Sequence, residues 1–520
     1  AVCLDKDRGS MLHIMATDLS DAEIVLGKLA AGLIPVAGLV FCMLPVQMLL
    51  ALLGGVDPEA LVGASFLILG TGVLSCTLAF TLSVWGRKSH EVLSAAYLLL
   101  IAWLGFPVLV LMATNGLATT KTGWIGYHLF QASLAINPYA LVSRPYREPN
   151  QSHLWATTAY TVGCLLVALL LAAWSTLGVR SATLNYRVGS TRKRRLRRPL
   201  PFEPFGFLPT PSLDGNPVLW REWSRNRPTG WARAIWLSYA GLSLLLTCFV
   251  LAEHWLYVNK SDLGGVVVAL QVAVGLLLLS VRAASALTEE RVRGSLDVLM
   301  TTPMTTLEIL AGKWWGTFRV APWLAAMPAV VGLSACLQTG RFDGLPLTIG
   351  VILANGAAVV TAGLAAAVCI ERPGRAIAAG VATYLYLCIA PLIGGLYVQV
   401  SNRHGSRDHG NWMAMGSPLW GAASGVHYTL DPLPHEGYSS VPAVLPFWIA
   451  AYAALTAVLF AAVAATFDRR LGRASGDRLD DFRDGGWRAL LPGFRLRGRD
   501  LPPPFPSSFE PPLREGAQPE

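Results

Sequence analysis

The chain alternates long apolar runs with short polar intervals, and the runs set its architecture. Ten of them are long enough to cross a bilayer as helices: residues 29–53, 61–85, 92–113, 155–177, 234–252, 263–281, 320–337, 345–370, 376–398 and 444–467. A span needs about 20 predominantly apolar residues. With no water in the hydrocarbon core, each span must satisfy its own backbone polar groups, which a helix does within one segment. The pattern predicts an all-α, polytopic membrane helical bundle.

Composition agrees, since 53% of the 520 residues are hydrophobic and only 14% charged, a balance foreign to soluble domains. The net charge of +9 would suggest nucleic acid in a soluble chain, but its placement changes its meaning. Alternating the ten spans sorts the intervals into two sets, and one set holds 34 of the 41 Lys and Arg. The positive-inside rule makes that set cytoplasmic, with both given termini, in an inner or plasma membrane. Seven of the eight cysteines fall inside apolar runs and only Cys3 does not, so neither a disulfide framework nor a metal site follows.

An internal repeat organises the chain. Residues 9–28, GSMLHIMATDLSDAEIVLGK, align without a gap on residues 294–313, GSLDVLMTTPMTTLEILAGK, at an offset of 285. Identities fall at Gly9/Gly294, Ser10/Ser295, Met15/Met300, Thr17/Thr302, Glu23/Glu308, Ile24/Ile309, Gly27/Gly312 and Lys28/Lys313. The same offset carries the basic turn Arg87-Lys88 onto Arg372-Pro373. Six spans separate the copies, an even number, so the halves are expected to be parallel about an axis along the membrane normal, with a path or cleft between them. Six spans fall in the second half and four in the first. Carried backwards, the offset sets Ala1 on Ala286, and the repeat predicts a polar segment and two spans, matching residues 216–285, ahead of Ala1. The expected divisions are a first half over 1–178, a basic, Pro-rich linker over 179–214, a second half over 215–467 and a disordered cytoplasmic tail over 468–520.

The linker carries TRKRRLRRPLP at residues 191–201, which reads as a tether near anionic membrane lipids rather than a nucleic-acid site, given the adjacent spans. Residues 215–234 mix Trp220, Trp223 and Trp231 with Arg221, Arg225 and Arg227, as an interfacial helix does. Each repeated segment contains Ser/Thr-x-x-Glu, at Ser20–Glu23 and Thr305–Glu308, the sequence of a capping box. A helix is therefore expected to start at each box and run into a span, after a shorter helix over 7–15 or 292–300. Each half thus offers a bent helix-turn-helix. For single side chains, local roles suffice: Glu23 and Glu308 as caps, Lys28 and Lys313 as snorkelling anchors. A cap alone does not explain why the bent segment occurs twice, and a docking role does.

The pattern Glu-x-x-x-Gly-Ser-Leu-x-x-Leu-x-Thr-x-Pro-x-x-x-x-Glu-Ile-x-x-Gly-Lys over residues 290–313 resembles the segment between the second and third spans of type-two ABC exporter permeases. NPVLWRE, residues 216–222, is similar to the start of such permeases, so the chain resembles two fused copies. The resemblance implies that the repeated segments are coupling helices against an ABC-type ATP-binding subunit, present in two copies. It implies contacts over 8–17 and 293–302, and coupling residues Arg8, Gly9, Met15, Thr17, Glu23 and Lys28, with Arg293, Gly294, Met300, Thr302, Glu308 and Lys313. Asp18 stands where the family often has Pro, which implies a different bend in the first copy. The family also has short re-entrant helices between the fifth and sixth spans. Residues 121–154 and 401–443, with NPYALVS at Asn137 and SPLWGAAS at Ser417, fit that position, and ordinary loops fit it equally.

Two absences bear on energy supply. No Asp, Glu, Lys, Arg or His lies within the ten apolar runs, whereas proton-driven carriers hold such groups at membrane depth. The Gly-Lys pairs at 27–28 and 312–313 lack the rest of a phosphate-binding loop. His435-Glu436 begins like a zinc-protease motif, but Ser439 occupies the second histidine's place. The expectation is a transport subunit without an enzyme site, cofactor or metal. The alternatives are a secondary carrier, a channel, or a structural anchor of a larger complex. Lipids, drugs, peptides and glycans remain equal as substrates.

Overall fold

The computed structural model describes residues 2–8, 10–54, 57–86, 88–115, 123–148, 152–192, 215–225, 230–256, 263–292, 294–302, 304–401, 408–430 and 441–471. Among them the only regular elements are helices. The first group is α1 (Val2–Arg8), α2 (Ser10–Met15), α3 (Asp21–Leu52), α4 (Pro58–Trp85), α5 (Ser89–Asn115), α6 (Gly123–Ala135), α7 (Pro138–Arg147) and α8 (Leu154–Arg192). The second begins with α9 (Pro217–Trp220), α10 (Gly230–Leu256), α11 (Leu263–Val292), α12 (Ser295–Met300), α13 (Thr306–Phe318) and α14 (Ala321–Thr339). It continues with α15 (Gly344–Cys369), α16 (Pro373–Ser401), α17 (Asp408–Ala414), α18 (Pro418–Leu430) and α19 (Val441–Leu471). Ten helical segments, with α13 and α14 taken together, are long and apolar enough to span a bilayer. The chain is a multi-pass, all-α membrane protein.

Each predicted apolar run falls in one of these helices, to within a residue at its ends, and most helices outrun their runs. Helix α11 continues past Val281 to Val292 and carries Arg282, Glu289, Glu290 and Arg291 with it. Gly294, at φ 69°, then turns the chain into α12, a left-handed conformation that costs glycine little. The helix expected to run from Thr305 into the seventh span breaks at Arg319 and Val320. Pro322, in the first turn of α14, has no N–H to continue the ladder.

Small residues set the closest approaches, as expected where lipid removes the hydrophobic drive between helices. Gly70 lies against Thr161 and Gly178 against Trp85 across α4 and α8, and Thr161 donates to the Phe66 carbonyl at 2.9 Å. Gly363 and Gly380 admit Ala283 and Ala284 of α11. Helix α11 is the hub of the second group, buried over 78% of its apolar window, whereas α3 is buried over only 6% and faces outward.

Helix α5 joins the two groups by packing on α10 and α11. At its start, Lys88 lies 3.7 Å from Glu289 and His90 contacts the same carboxylate. Helix α1 is tied to the end of α4, where Cys3 N–H donates to Ser83 Oγ at 3.0 Å and Lys6 to the Val84 carbonyl. These contacts put α1, α2 and α12 at one end of the bundle. At the other, α18 is wedged against the first turns of α11 and α15, with its His427 ring on Gly265 and its Thr429 on Gly344. The two segments read as re-entrant helices or loops thus form short helices, α6 and α7 in one and α17 and α18 in the other. Asn137 caps α7 from Tyr139 N–H at 3.0 Å and donates to the Leu104 carbonyl at 2.7 Å.

Candidate functional site

The repeated segments have the same internal bonding. Ser20 accepts from Glu23 N–H at 3.3 Å while Glu23 accepts from Ser20 N–H at 2.8 Å. Thr305 and Glu308 exchange the same pair at 3.2 and 2.9 Å. Each box satisfies two helix-start donors that would otherwise be orphaned. Ahead of it, Ser10 donates to the Asp5 carbonyl at 3.3 Å and Ser295 to the Glu290 carbonyl at 3.4 Å. Thr17 and Thr302 each donate to the carbonyl three residues back, of Ile14 and Leu299. Buried Met11 and Ile24 anchor the first segment, and Leu296 and Ile309 the second. Each of these positions in the first segment lies 285 residues before its counterpart.

A lysine closes both structures. Lys28 pairs with Asp5 in the first, with both side chains partly exposed. In the second, Lys313 is 2% exposed and contacts two carboxylates, Glu222 and, at 2.7 Å, Glu290. Arg221 adds a contact to Glu290 at 3.2 Å. Arg319 donates to the carbonyls of Trp223 and Glu222 at 3.3 and 3.4 Å and lies 5.0 Å from the Trp223 ring centre. Taking an ammonium this far out of water costs hydration, and the two carboxylates offset that cost.

The extra carboxylate, Glu222, comes from the segment that helix α9 begins. Asn216 caps it, accepting from Leu219 N–H at 2.9 Å, and donates to the Glu308 carbonyl at 2.8 Å. A wide π-helical turn, Arg221–Arg225, follows. Two glycines let α9 approach α13: a Cβ on Gly312 would meet Asn216 Oδ1 and Val218 at 3.0 Å, and one on Gly316 would meet Glu222 Cβ at 2.8 Å. Among the described residues, nothing beyond its own chain neighbours and helix backbone lies within 4 Å of a Cβ placed on Gly27. Instead of lying on the surface, α9 is locked into the bundle with Val218 and Leu219 buried.

The predicted site residues divide accordingly. Glu23 and Glu308 cap, Lys28 and Lys313 form ion pairs, and Gly294 turns the chain. Met15 and Met300 pack inward, while Thr17 is exposed and Thr302 partly so. Gly9, Arg293 and the side chain of Arg8 lie outside the described residues, as do most of the basic linker, residues 193–214, and the tail beyond 471. The reading of Lys313 as a snorkelling anchor does not hold, because the ammonium points into protein and not toward an interface. Asp5, Glu222, Glu289 and Glu290 were missed. Asp5 falls on Glu290 at the repeat offset, and this acid-on-acid alignment was the available signal. No family model, no curated protein and no solved structure matches this chain.

Proposed function

We propose that the chain is the permease of an ATP-driven exporter, worked by a separate ATP-binding subunit that grips its two bent segments. The reading rests on the resemblance over residues 290–313. The observation that carries it is the pair of matching helix-turn-helices at one end of the bundle, each ion-paired to the preceding helical segment through Lys28 or Lys313. Force applied to such a segment reaches the spans without being lost in a loose hinge. The accessible contact face is Thr17 in the first segment and Asp297, Val298 and Thr301 in the second, all exposed. That end is the cytoplasmic one in this reading. The transported substrate passes between the halves, near the seam of α5 with α10 and α11.

The test is co-purification with the ATP-binding subunit, repeated after residues 293–300 are replaced by a Gly/Ser linker. Coupling requires loss of binding and of ATPase stimulation. Undiminished binding and stimulation would return the choice to a carrier, a channel or a structural anchor.

A further inference from the structure

The offset of 285 relates whole helices as well as the bent segments. Moved by it, α2 becomes 295–300, α3 306–337, α4 343–370 and α5 374–400; these are closely the extents of α12, of α13 with α14, of α15 and of α16. Helices α9 and α10 have no such counterpart among residues 1–520. The surfaces they cover together with α11 in the second group are bare in the first. On α14, Leu324 and Val331 are 3% and 0% exposed, inside the core that α10 and α11 build, and Leu324 lies against Gly275 of α11. Their counterparts on α3, Leu39 and Val46, are 70% and 57% exposed. Gly312 admits α9, whereas Gly27 has open space beside it. Lys313 meets Glu222 of the α9 segment as well as Glu290, whereas Lys28 pairs with Asp5, the counterpart of Glu290.

The seam between the groups has the same one-sidedness. Helix α5 packs on α10 and α11, and its Leu93, Tyr97 and Ile101 lie against their core. At the offset these positions become Ala378, Ala382 and Tyr386 of α16, all three exposed. Apolar surface costs nothing in hydrocarbon, so exposure alone calls for no partner. The register calls for one. A single α10–α11 pair covers α14 of its own group and α5 of the other, and the bare faces belong to the counterparts of those two helices.

We infer that α3 and α16 form a docking surface for a membrane partner with the chemistry of residues 215–292. That partner is a short entry helix carrying a carboxylate, followed by two apolar membrane-crossing helices. Its entry helix seats on Gly27 and brings its carboxylate to Lys28, while its spans cover Leu39 and Val46 on one side and Ala382 and Tyr386 on the other. The inference rests on the register of the two groups and not on an ATP-binding subunit, so it fails or succeeds apart from the exporter reading.

The full chain is co-expressed with a tagged copy of residues 215–292 as the probe, and the chain held on the tag in neutral detergent is measured. Retention should fall about tenfold in Gly27→Val and in Ala382→Trp, the worth of one overpacked contact. Val458→Trp, at an exposed position of α19, should leave it unchanged. Retention that ignores Gly27→Val and Ala382→Trp, or that Val458→Trp reduces equally, is unspecific helix association and overturns the inference. A tagged second full copy that is held in place of the probe, and lost in the same two variants, makes the face a contact between copies and also overturns it. A second readout needs no probe. In membranes of the native source, a photoactivated carbene reagent dissolved in the lipid, mapped by mass spectrometry, should label the chain around Val458 and spare Leu39, Val46 and Tyr386. Labelling of all four to the same extent means that lipid covers the face, and the inference falls.

Discussion

Replacing Lys313 by Met keeps the length and volume of the stem and deletes the charge. The wild-type ammonium is 2% exposed and serves Glu222 and Glu290, whose side chains are themselves only 14% and 9% exposed. Removing one partner of a buried pair costs about 3–5 kcal/mol, because the remaining charge is stranded. Arg221 stays 3.2 Å from Glu290, so the expected loss lies at the lower end, about 3 kcal/mol. Lys28→Met is the internal control. Its pair with Asp5 is 21% and 28% exposed, and solvent screening holds the cost to about 0–1 kcal/mol. The two equivalent substitutions should thus differ by about 2 kcal/mol, more than a tenfold change in equilibrium constant. The assay is unfolding of the full chain in mixed micelles by graded SDS, followed by tryptophan fluorescence. Adding Glu222→Gln to Lys313→Met should recover part of the loss, since the carboxylate charge that Lys313 met goes with it while Glu290 keeps its contact with Arg221. If Lys313→Met and Lys28→Met unfold within 0.5 kcal/mol of each other, about the scatter of neutral surface changes, the buried cluster is not where this reasoning puts it.

Three further outcomes can be checked. Gly312→Val and Gly316→Val should each cost about 1–3 kcal/mol by overpacking against α9, while Gly27→Val, with open space around it, should be nearly neutral by the same SDS titration. Thr305→Ala and Ser20→Ala should each lose about 1 kcal/mol of helix-start stability, read as faster hydrogen exchange in the first turns of α13 and α3. Thr17→Cys and Thr301→Cys, both at exposed positions, should react with a membrane-impermeant thiol reagent from the same face of sealed vesicles, and labelling from opposite faces would end the exporter reading.

The spans were legible because their signal is one-dimensional: a run such as 345–370 has to be helical wherever it sits in the bilayer. The capping boxes were equally legible, since Ser20 with Glu23 and Thr305 with Glu308 bond within four residues of sequence. What the pattern did not carry is the depth of polar side chains beyond the runs. Lys313 and Lys28 occupy the same motif, yet the first is buried and the second partly exposed, because α9 packs over one and no counterpart of α9 is described beside the other. That difference depends on a contact between residues 216–222 and 308–316, about 90 positions apart, which no local period encodes. The glycines of α13 permit this contact without announcing it, since Gly27 shares the motif and meets no neighbour. The asymmetry has a mechanical consequence. A push on α12 is delivered through a buried, two-carboxylate joint into both α9 and α11, whereas a push on α2 reaches the rest through the weaker Lys28–Asp5 pair and the α1–α4 contacts. In the exporter reading, two segments alike in sequence are therefore unequal levers, and the second half should move as the stiffer body.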